Sequence, residues 1–130
     1  MQRVYDFLKK AGVYYLATTE GAQPHIRPFG TVDIFEGRLY FQTGKKKAVA
    51  HQLKENPLVE ICAMDEGKWI RIKGTAVLDE RIEAQEHMLE GYPQLRAMYA
   101  PGDGNNEVYY LKDAEALIFS FGQEPEVIRF

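Results

Sequence analysis

Three consecutive lysines, Lys45 to Lys47, carry the clearest chemical signal in the chain. They follow Thr43 and lead into a segment with helical spacing of apolar residues, which stops at Asn56-Pro57. If Thr43 caps this helix, the ammonium groups lie in its first turn, at the positive end of the helix dipole, which is unfavourable by ~0.3–1 kcal/mol per exposed charge. Free backbone N–H groups and lysines together suit a phosphate. The pattern predicts a phosphate-bearing ligand at this corner, the alternative being a solvated run of surface lysines.

A second pattern, Arg27-Pro28-Phe29-Gly30, interrupts an otherwise regular extended run. Proline cannot donate a hydrogen bond to a neighbouring strand, so these residues predict a sheet edge, a bulge or a place where two strands separate. Backbone groups released there could face a ligand, and Arg27 could contact it. The competing interpretation is an ordinary surface pair between Arg27 and Asp33 or another carboxylate, usually worth under ~1 kcal/mol.

The other reactive residue types show no spacing typical of a catalytic or metal site. Cys62 lies in an apolar run, where a buried and inert thiol is the common case. The three histidines fall on different elements, so no metal site is predicted. The chain shows no phosphate-binding loop, no dinucleotide glycine motif and no isolated acid–base pair. Such a chain suits chemistry performed by a cofactor, with the protein supplying placement and electrostatics.

Composition bounds the class of protein. A chain of 130 residues, 45% hydrophobic and 27% charged, fits one globular domain spanning residues 1–130. The net charge of -3 and the isoelectric point of about 5.6 argue against general binding to nucleic acid or to an anionic membrane. No apolar run approaches a membrane span or a signal peptide, and a single cysteine cannot form an internal disulfide, so a cytoplasmic protein is expected.

The elements that must position these residues are mostly strands. Alternating and apolar runs predict six strands, at residues 13–19, 25–35, 38–43, 58–64, 68–79 and 108–121. Helical spacing predicts four helices, over residues 1–11, 45–55, 81–89 and 94–99. Gly74 predicts a bend in the fifth strand, and Lys112-Asp113-Ala114 predicts a kink in the sixth. Six short strands fit a small barrel, because closure removes the edges that a flat sheet would expose.

The order of these elements, with the residues IRPFGTV, FQTGKKK, HQLKENP and WIRIKGTA, resembles the pyridoxamine 5′-phosphate oxidase-like family of FMN-binding split barrels. The likeness runs from about Val13 to Asp79 in motif and to Phe121 in layout. It implies a mainly β (α+β) fold, a six-stranded split β-barrel with short flanking helices. It also implies a homodimer that binds FMN at the subunit interface.

The resemblance assigns cofactor-binding roles to residues of several elements. A basic residue of the second strand and basic residues at the start of the helix would hold the phosphate. Residues 28–31 would follow the isoalloxazine ring and the ribityl chain, and residues at the end of the third strand would lie beside them. Residues on the fifth strand would reach the flavin of the other subunit. The implied set is Arg27, Pro28, Phe29, Gly30, Thr31, Gln42, Thr43, Lys46, Lys47, Trp69 and Arg71.

Two departures separate this chain from the oxidase itself. When His51-Gln52 and Asn56-Pro57 are aligned with the oxidase, its basic pair falls at Ala48 and Val49 rather than on the lysines. The segment 122–130 lacks the arginine- and histidine-containing motif of the oxidase. The chain is therefore closer to the shorter relatives, the nitroimidazole-reductase-like and general stress proteins. True pyridoxamine phosphate oxidase activity is not expected.

The resemblance implies an FMN-binding flavoprotein, an oxidoreductase that passes electrons from a nicotinamide cofactor through FMN to a small organic acceptor. The alternative is a non-catalytic protein that binds FMN or haem for sensing, storage or protection. A third interpretation, a barrel that binds single-stranded nucleic acid through the lysines, fits the acidic net charge least. Trp69 could equally be an aromatic of the core or of the dimer interface.

Overall fold

The computed structural model describes all residues, 1–130, and contains three α-helices, one 3₁₀ segment and eight strands. The helices are α1 (Gln2–Ala11), α2 (Ala48–Glu55) and α3 (Ile82–Gly91), and the 3₁₀ segment is Pro93–Ala97. The strands are β1 (Tyr14–Glu20), β2 (Gln23–Phe29), β3 (Asp33–Phe35), β4 (Arg38–Gly44), β5 (Leu58–Asp65), β6 (Lys68–Asp79), β7 (Asn106–Phe119) and β8 (Glu126–Arg129).

The strands form one antiparallel sheet in the order β2-β1-β5-β6-β7-β4-β3, with β8 beside β7. β2 and β3 are consecutive in the chain, yet they occupy opposite ends of this order and do not pair. The expected mainly β split barrel with flanking helices is therefore confirmed. There are eight strands rather than six, since the tail adds β8 and the predicted second strand divides in two.

The predicted second strand breaks because the segment between β2 and β3 is held by hydrogen bonds that involve side chains, and not by backbone pairing with a neighbouring strand. The Tyr14 hydroxyl donates to the Thr31 carbonyl oxygen at 2.6 Å, and Thr31 Oγ1 accepts the Gln42 N–H at 3.0 Å. The Tyr92 hydroxyl accepts the Val32 N–H at 3.0 Å and donates to the Val32 carbonyl oxygen at 3.1 Å. These partners allow the chain to leave the sheet without burying unpaired backbone groups.

The predicted start of the second helix is wrong, because the lysines precede the helix rather than forming its first turn. Lys47 stands at the N-cap of α2 with extended backbone (φ -76°, ψ 151°), and Thr43 belongs to β4. The Lys45 N–H donates to the Asn105 carbonyl oxygen at 2.7 Å, and the Lys46 N–H donates to Asn105 Oδ1 at 3.2 Å. These bonds to the loop before β7 hold the lysines in a turn outside the helix.

The core fills the barrel with the inward-facing residues of the strands. Leu16, Ile61 and Ile70 come from three neighbouring strands, and each is at most 2% exposed. α1 covers this core with its own buried face, formed by Val4, Phe7 and Leu8. A second, smaller cluster lies under α3 and contains Tyr40, Ala84, Met88 and Val108. Burial of this kind contributes roughly 25 cal/mol per Å² of apolar surface removed from water.

The bends predicted in the two longest strands are confirmed at the same place in the sheet. Asp113 has a φ of 52°, and the pairing of β6 with β7 shifts register between Lys73 and Thr75. A Cβ atom on Gly74 would lie 3.3 Å from the Cβ atom of Ala114. Glycine therefore suits the close approach of these strands.

An ion-pair network joins the end of β6, the start of α3 and the turn between β3 and β4. Arg81 donates to both carboxylate oxygens of Asp79, at 3.0 and 2.9 Å, and to both of Glu36, at 2.7 and 2.9 Å. The Tyr40 hydroxyl donates to Asp79 Oδ2 at 2.7 Å. These bonds, chiefly those from Arg81, lower the pKa of Asp79 from 3.8 to about 2. The network ties the start of α3 to the sheet.

We expect Asp79→Asn to flatten the dependence of stability on pH in acid. Because the folded-state pKa lies below the unfolded value of 3.8, Asp79 contributes stability that is complete above that value and is lost as the pH falls from about 4 to about 2. Over this range the free energy of unfolding should fall by about 1–2 kcal/mol more in the wild type than in the variant. This figure allows for screening by solvent, because the Arg81 side chain is 44% exposed. Urea unfolding across this pH range measures the slope.

Glu83→Gln is the matched control, since Glu83 is an exposed carboxylate of α3 outside the ion-pair network. It should keep the wild-type slope. An equal flattening in both variants would contradict the role given to Asp79.

Candidate functional site

A cavity of about 350 Å³ lies where β2 runs into the segment that leads to β3. The end of β4, the start of α2 and the 3₁₀ segment complete its walls. Its volume falls in the range of roughly 300–1,000 Å³ that is usual for small-molecule sites. The lining residues are Arg27, Pro28, Phe29, Gly30, Thr31, Gln42, Thr43, Lys47, Val49, Tyr92, Gln94 and Leu95.

This cavity brings together most of the cofactor-binding residues that the sequence predicts. All five residues from Arg27 to Thr31 line it, as do Gln42, Thr43 and Lys47. The lysines separate: Lys47 lines this cavity, whereas Lys45 lines a smaller depression of about 220 Å³ beside the loop before β7. The three predicted residues that do not line the cavity are Lys46, Trp69 and Arg71.

Arg27 is a partly buried cation without a carboxylate partner. Alternation along β2 turns its side chain inward, where it donates to the Leu16 carbonyl oxygen at 3.2 Å, to Thr18 Oγ1 at 2.8 Å and to Gln52 Oε1 at 2.6 Å. Burial lowers the pKa of Arg27 below its ordinary value, but a guanidinium stays charged in a protein. Because all three acceptors are formally neutral, its charge favours an anion in the cavity.

Thr43 is another residue of the cavity lining, and its hydroxyl is unpartnered. Its Oγ1 is buried and has no hydrogen-bond partner within the chain. The neighbouring side chain is already used, since Gln42 Nε2 donates to the Thr43 carbonyl oxygen at 3.2 Å and to Asn106 Oδ1 at 3.0 Å. Buried polar atoms are nearly always hydrogen-bonded, so the Thr43 hydroxyl suits a polar group of a ligand.

Phe29 gives the cavity a firm apolar wall. Its ring lies 5.6 Å from that of Phe41 in an edge-to-face arrangement and 5.9 Å from that of Tyr14. Such pairs hold an aromatic ring in one orientation. An apolar wall next to a cationic end can accommodate a molecule with a flat ring and an anionic tail.

Sequence reasoning missed the wall formed by the 3₁₀ segment and its preceding residue, Tyr92. Tyr92, Gln94 and Leu95 line the cavity from a part of the chain far from the predicted motifs. It also missed Gln52, which is 4% exposed on α2 and bonds to Arg27. A polar residue among the apolar positions of α2 was the available signal, because a buried glutamine needs a partner.

Trp69 and Arg71 lie on the outward face of β6 instead. The Trp69 ring stacks on Phe119, with centroids 5.2 Å apart and an interplanar angle of 10°, and its edge meets Phe121 at 5.5 Å. Met64 pairs with Trp69 across the strands, and Met64 and Phe121 are 68% and 85% exposed. We call these four residues, Met64, Trp69, Phe119 and Phe121, the outer patch. Exposed apolar patches of this kind are typical of binding surfaces.

A larger groove, of about 630 Å³, lies on the outward face between β1, β5, β6 and β7 and contains none of the predicted residues. Its charged residues are the carboxylates Glu60, Asp113 and Glu115 and one ammonium group, Lys73. An excess of negative charge disfavours a phosphate. The smaller cavity is therefore the better site for an anionic ligand despite its size.

Two interpretations of single residues are wrong. Asp33 does not pair with Arg27, because its carboxylate lies 2.6 Å from His87 Nδ1. Cys62 is half-buried rather than buried, because it points outward from β5 opposite Arg71. The structure brings together no three histidine, cysteine or acidic side chains that could hold a metal ion, and no helix has the length and apolar character to cross a membrane.

Comparison with known proteins agrees with this geometry. The profile of the family described as pyridoxamine 5′-phosphate oxidase matches residues 1–112. A crystal structure of a NimC/NimA family protein from Clostridium acetobutylicum is 43% identical, with a TM-score of 0.96, over 100% of this chain and 93% of that chain. A comparison with curated proteins gives no match.

Two further crystal structures resemble this chain at lower identity. General Stress Protein 26 from Bacillus anthracis is 16% identical, with a TM-score of 0.75, over 99% of this chain and 98% of that chain. A pyridoxamine 5′-phosphate oxidase-related, FMN binding protein from Nostoc punctiforme is 17% identical, with a TM-score of 0.64, over 97% of this chain and 90% of that chain. At these identities the likeness supports the fold alone. The profile match and the 43% identity together show that the chain belongs to the pyridoxamine 5′-phosphate oxidase family.

Proposed function

We propose that this chain is an FMN-binding flavoprotein that acts as an oxidoreductase. The observation that carries the proposal is the charge of Arg27, which no carboxylate compensates, in a cavity of ligand size beside the unpartnered hydroxyl of Thr43. A phosphate bound there would meet the cation and the hydroxyl at once. Membership of a family that includes FMN-binding proteins supports the same ligand.

The residues around the cavity suit the different parts of FMN. Arg27 and Lys47 would hold the phosphate, with the Thr43 hydroxyl as a further hydrogen-bond partner. Pro28 and Phe29 would pack against the ring system. When bound, FMN supplies one- and two-electron redox chemistry that no side chain can provide.

The chain itself would contribute binding, orientation and positive potential. No histidine, cysteine or carboxylate lines the cavity, and Lys47 and Tyr92 are its only lining residues whose side chains could transfer a proton. Tyr92, Gln94 and Leu95 form an uncharged wall that would restrict the molecules that approach the cofactor. We propose a nicotinamide cofactor as electron donor and a small organic molecule as acceptor.

The acceptor is not expected to be pyridoxamine phosphate. Segment 122–130 lacks an arginine- and histidine-containing motif like that of the oxidase, and its one arginine, Arg129, pairs with Glu115 at 3.1 Å. We propose that the protein acts in the reducing cytoplasm, where a single unpaired cysteine is common. Neither nucleic acid nor a membrane is a proposed partner, given the net charge of -3.

A non-catalytic FMN-binding protein is the second candidate, and the same lining residues fit it, because binding alone needs no proton transfer. Haem fits less well, because no histidine, cysteine or methionine lines the cavity, and the Tyr92 hydroxyl is already bonded to both backbone groups of Val32.

We also propose that the protein is a homodimer with the flavin at the subunit interface. The outer patch would then be covered by the second subunit, and Trp69 and Arg71 would reach the flavin bound to it. The exposure of Met64 and Phe121 supports this arrangement, since large apolar side chains of this kind gain most from association.

The first experiment is the visible spectrum of the purified protein, before and after incubation with FMN. We expect flavin absorbance, and reduction of the bound flavin by NADH or NADPH followed by reoxidation with a nitroaromatic or a quinone faster than free FMN allows. Reduction no faster than that of free FMN would favour the non-catalytic candidate. Failure to carry or take up FMN would overturn the proposal.

The structure predicts different roles for the neighbouring lysines. Lys47→Glu should weaken FMN binding by roughly tenfold or more, because it places a carboxylate against the phosphate. Lys46→Glu makes the same change of charge one residue away, outside the cavity lining, and should keep an affinity close to that of the wild type. Fluorescence titration of FMN measures both. Unchanged affinity in both variants would remove the lysines from the site.

The role proposed for the outer patch can be tested through the oligomeric state, which we expect to be a dimer. Trp69→Glu should convert a dimer into a monomer and weaken FMN binding, because it buries a carboxylate among aromatic rings at the interface. Light scattering during size-exclusion chromatography gives the mass, and circular dichroism checks the fold. Met98→Glu is the control, since Met98 is an equally apolar side chain, 71% exposed and outside the patch. A monomeric wild-type protein would refute the dimer.

A further inference from the structure

Gln52 is the residue that connects Arg27 to the helix α2. It is 4% exposed, and its Oε1 accepts hydrogen bonds from Arg27 at 2.6 Å and from the Thr18 hydroxyl at 2.5 Å. Thr18, itself 2% exposed, accepts a second bond from the same guanidinium at 2.8 Å. The three side chains thus form a closed set of hydrogen bonds, in which Arg27 is the only charged member and the only one that lines the cavity.

The guanidinium of Arg27 has partners of a different kind from those of most other arginines in this chain. Five of the seven arginines pair with a carboxylate oxygen at 3.4 Å or less: Arg3, Arg71, Arg81, Arg96 and Arg129. Arg38 lies over the Tyr110 ring, 4.3 Å from its centroid. Arg27 is the one arginine drawn into the barrel, and there its partners are an amide, a hydroxyl and a backbone carbonyl.

Neutral acceptors and a carboxylate have different effects on a buried guanidinium. Both fix its position, but a carboxylate also cancels its charge, whereas an amide oxygen leaves the charge available to a third group. A cation held only by neutral partners therefore costs folding free energy that a bound anion can recover.

We infer that Gln52 is a positioning residue that fixes the Arg27 guanidinium while keeping its charge free for the anionic group of the ligand. The inference rests on the proposed function, because it assigns to this pair the phosphate end of the FMN site. It goes further in explaining why the side chain at position 52 is an amide. A glutamate has nearly the same shape and would accept the same two bonds, yet it would neutralise the cation.

The decisive variant is Gln52→Glu. Gln52 Nε2 makes no hydrogen bond within the chain, so replacing this nitrogen by oxygen breaks no contact. The new carboxylate would pair with Arg27, and the flavin-free protein should unfold at the same temperature as the wild type or higher. The affinity for FMN should nevertheless fall by roughly 10- to 100-fold, because the ligand phosphate would compete with a fixed carboxylate.

Gln52→Met tests the alternative of a merely structural role. It removes the acceptor without adding charge, so the flavin-free protein should lose stability while FMN binding weakens less than in Gln52→Glu. We therefore expect Gln52→Glu to be the more stable of the two variants and also the weaker binder of FMN. A structural role predicts the opposite, with affinity falling in step with stability.

Gln85→Glu is the matched control. Gln85 is a buried glutamine of α3, 8% exposed, whose Oε1 accepts the Gly102 N–H at 2.8 Å and no bond from an arginine. The substitution adds the same charge outside the cavity lining and should leave the FMN affinity within about twofold of the wild type. A loss equal to that of Gln52→Glu would show a general effect of net charge and would overturn the inference.

Titration with FMN and, separately, with inorganic phosphate distinguishes the two proposals. If the wild type binds FMN and Gln52→Glu binds it equally well, the inference on Gln52 is wrong and the proposed function stands. If the wild type binds phosphate but not FMN, and Gln52→Glu loses phosphate, the inference stands and the proposed function is wrong. A wild-type protein that binds neither refutes both.

Discussion

The opening between β2 and β3 depends on hydrogen bonds that side chains make to the segment between these strands. Tyr14 donates to the carbonyl oxygen of Thr31, and Tyr92 bonds to both backbone groups of Val32. Burial raises the pKa of the Tyr14 hydroxyl, so it stays a neutral donor. An unpaired buried backbone group costs about 1–3 kcal/mol, so the chain can leave the sheet only where such partners are in place. The cavity is a consequence, because β2 and this segment form much of its wall.

The charge of the cavity follows from the distribution of ion pairs rather than from the net charge. The chain carries a net charge of -3, and most of its arginines are paired with carboxylates. Arg27 has no acidic partner, and it lines the same cavity as Lys47, which forms no ion pair either. An acidic protein thereby gains a local preference for an anion in this cavity, which is the preference that the proposed phosphate site requires.

The uncharged wall of the cavity is held by contacts from distant parts of the chain. Arg81 ties the start of α3 to the sheet, and α3 leads directly to Tyr92. Lys9 of α1 donates to the Tyr92 hydroxyl at 3.2 Å, and its ammonium group lies 4.6 Å from the ring centroid. Two helices and the segment before β3 thus fix one side chain, and the shape of the site depends on the packing of the whole barrel.

The sequence by itself determined the features that arise from neighbouring residues. Alternation predicted the strands, and the order of the motifs indicated the family. Proline and glycine after Arg27 predicted a sheet edge, a bulge or a separation of two strands at that place. Tertiary structure decided which polar groups meet. Lys46 is outside the cavity lining, in a turn where its N–H bonds to Asn105, 59 residues later, and Gln52 reaches Arg27 only when α2 packs against the barrel. Periodicity records which face a residue occupies, but the partner of a buried polar group depends on segments that only folding brings together.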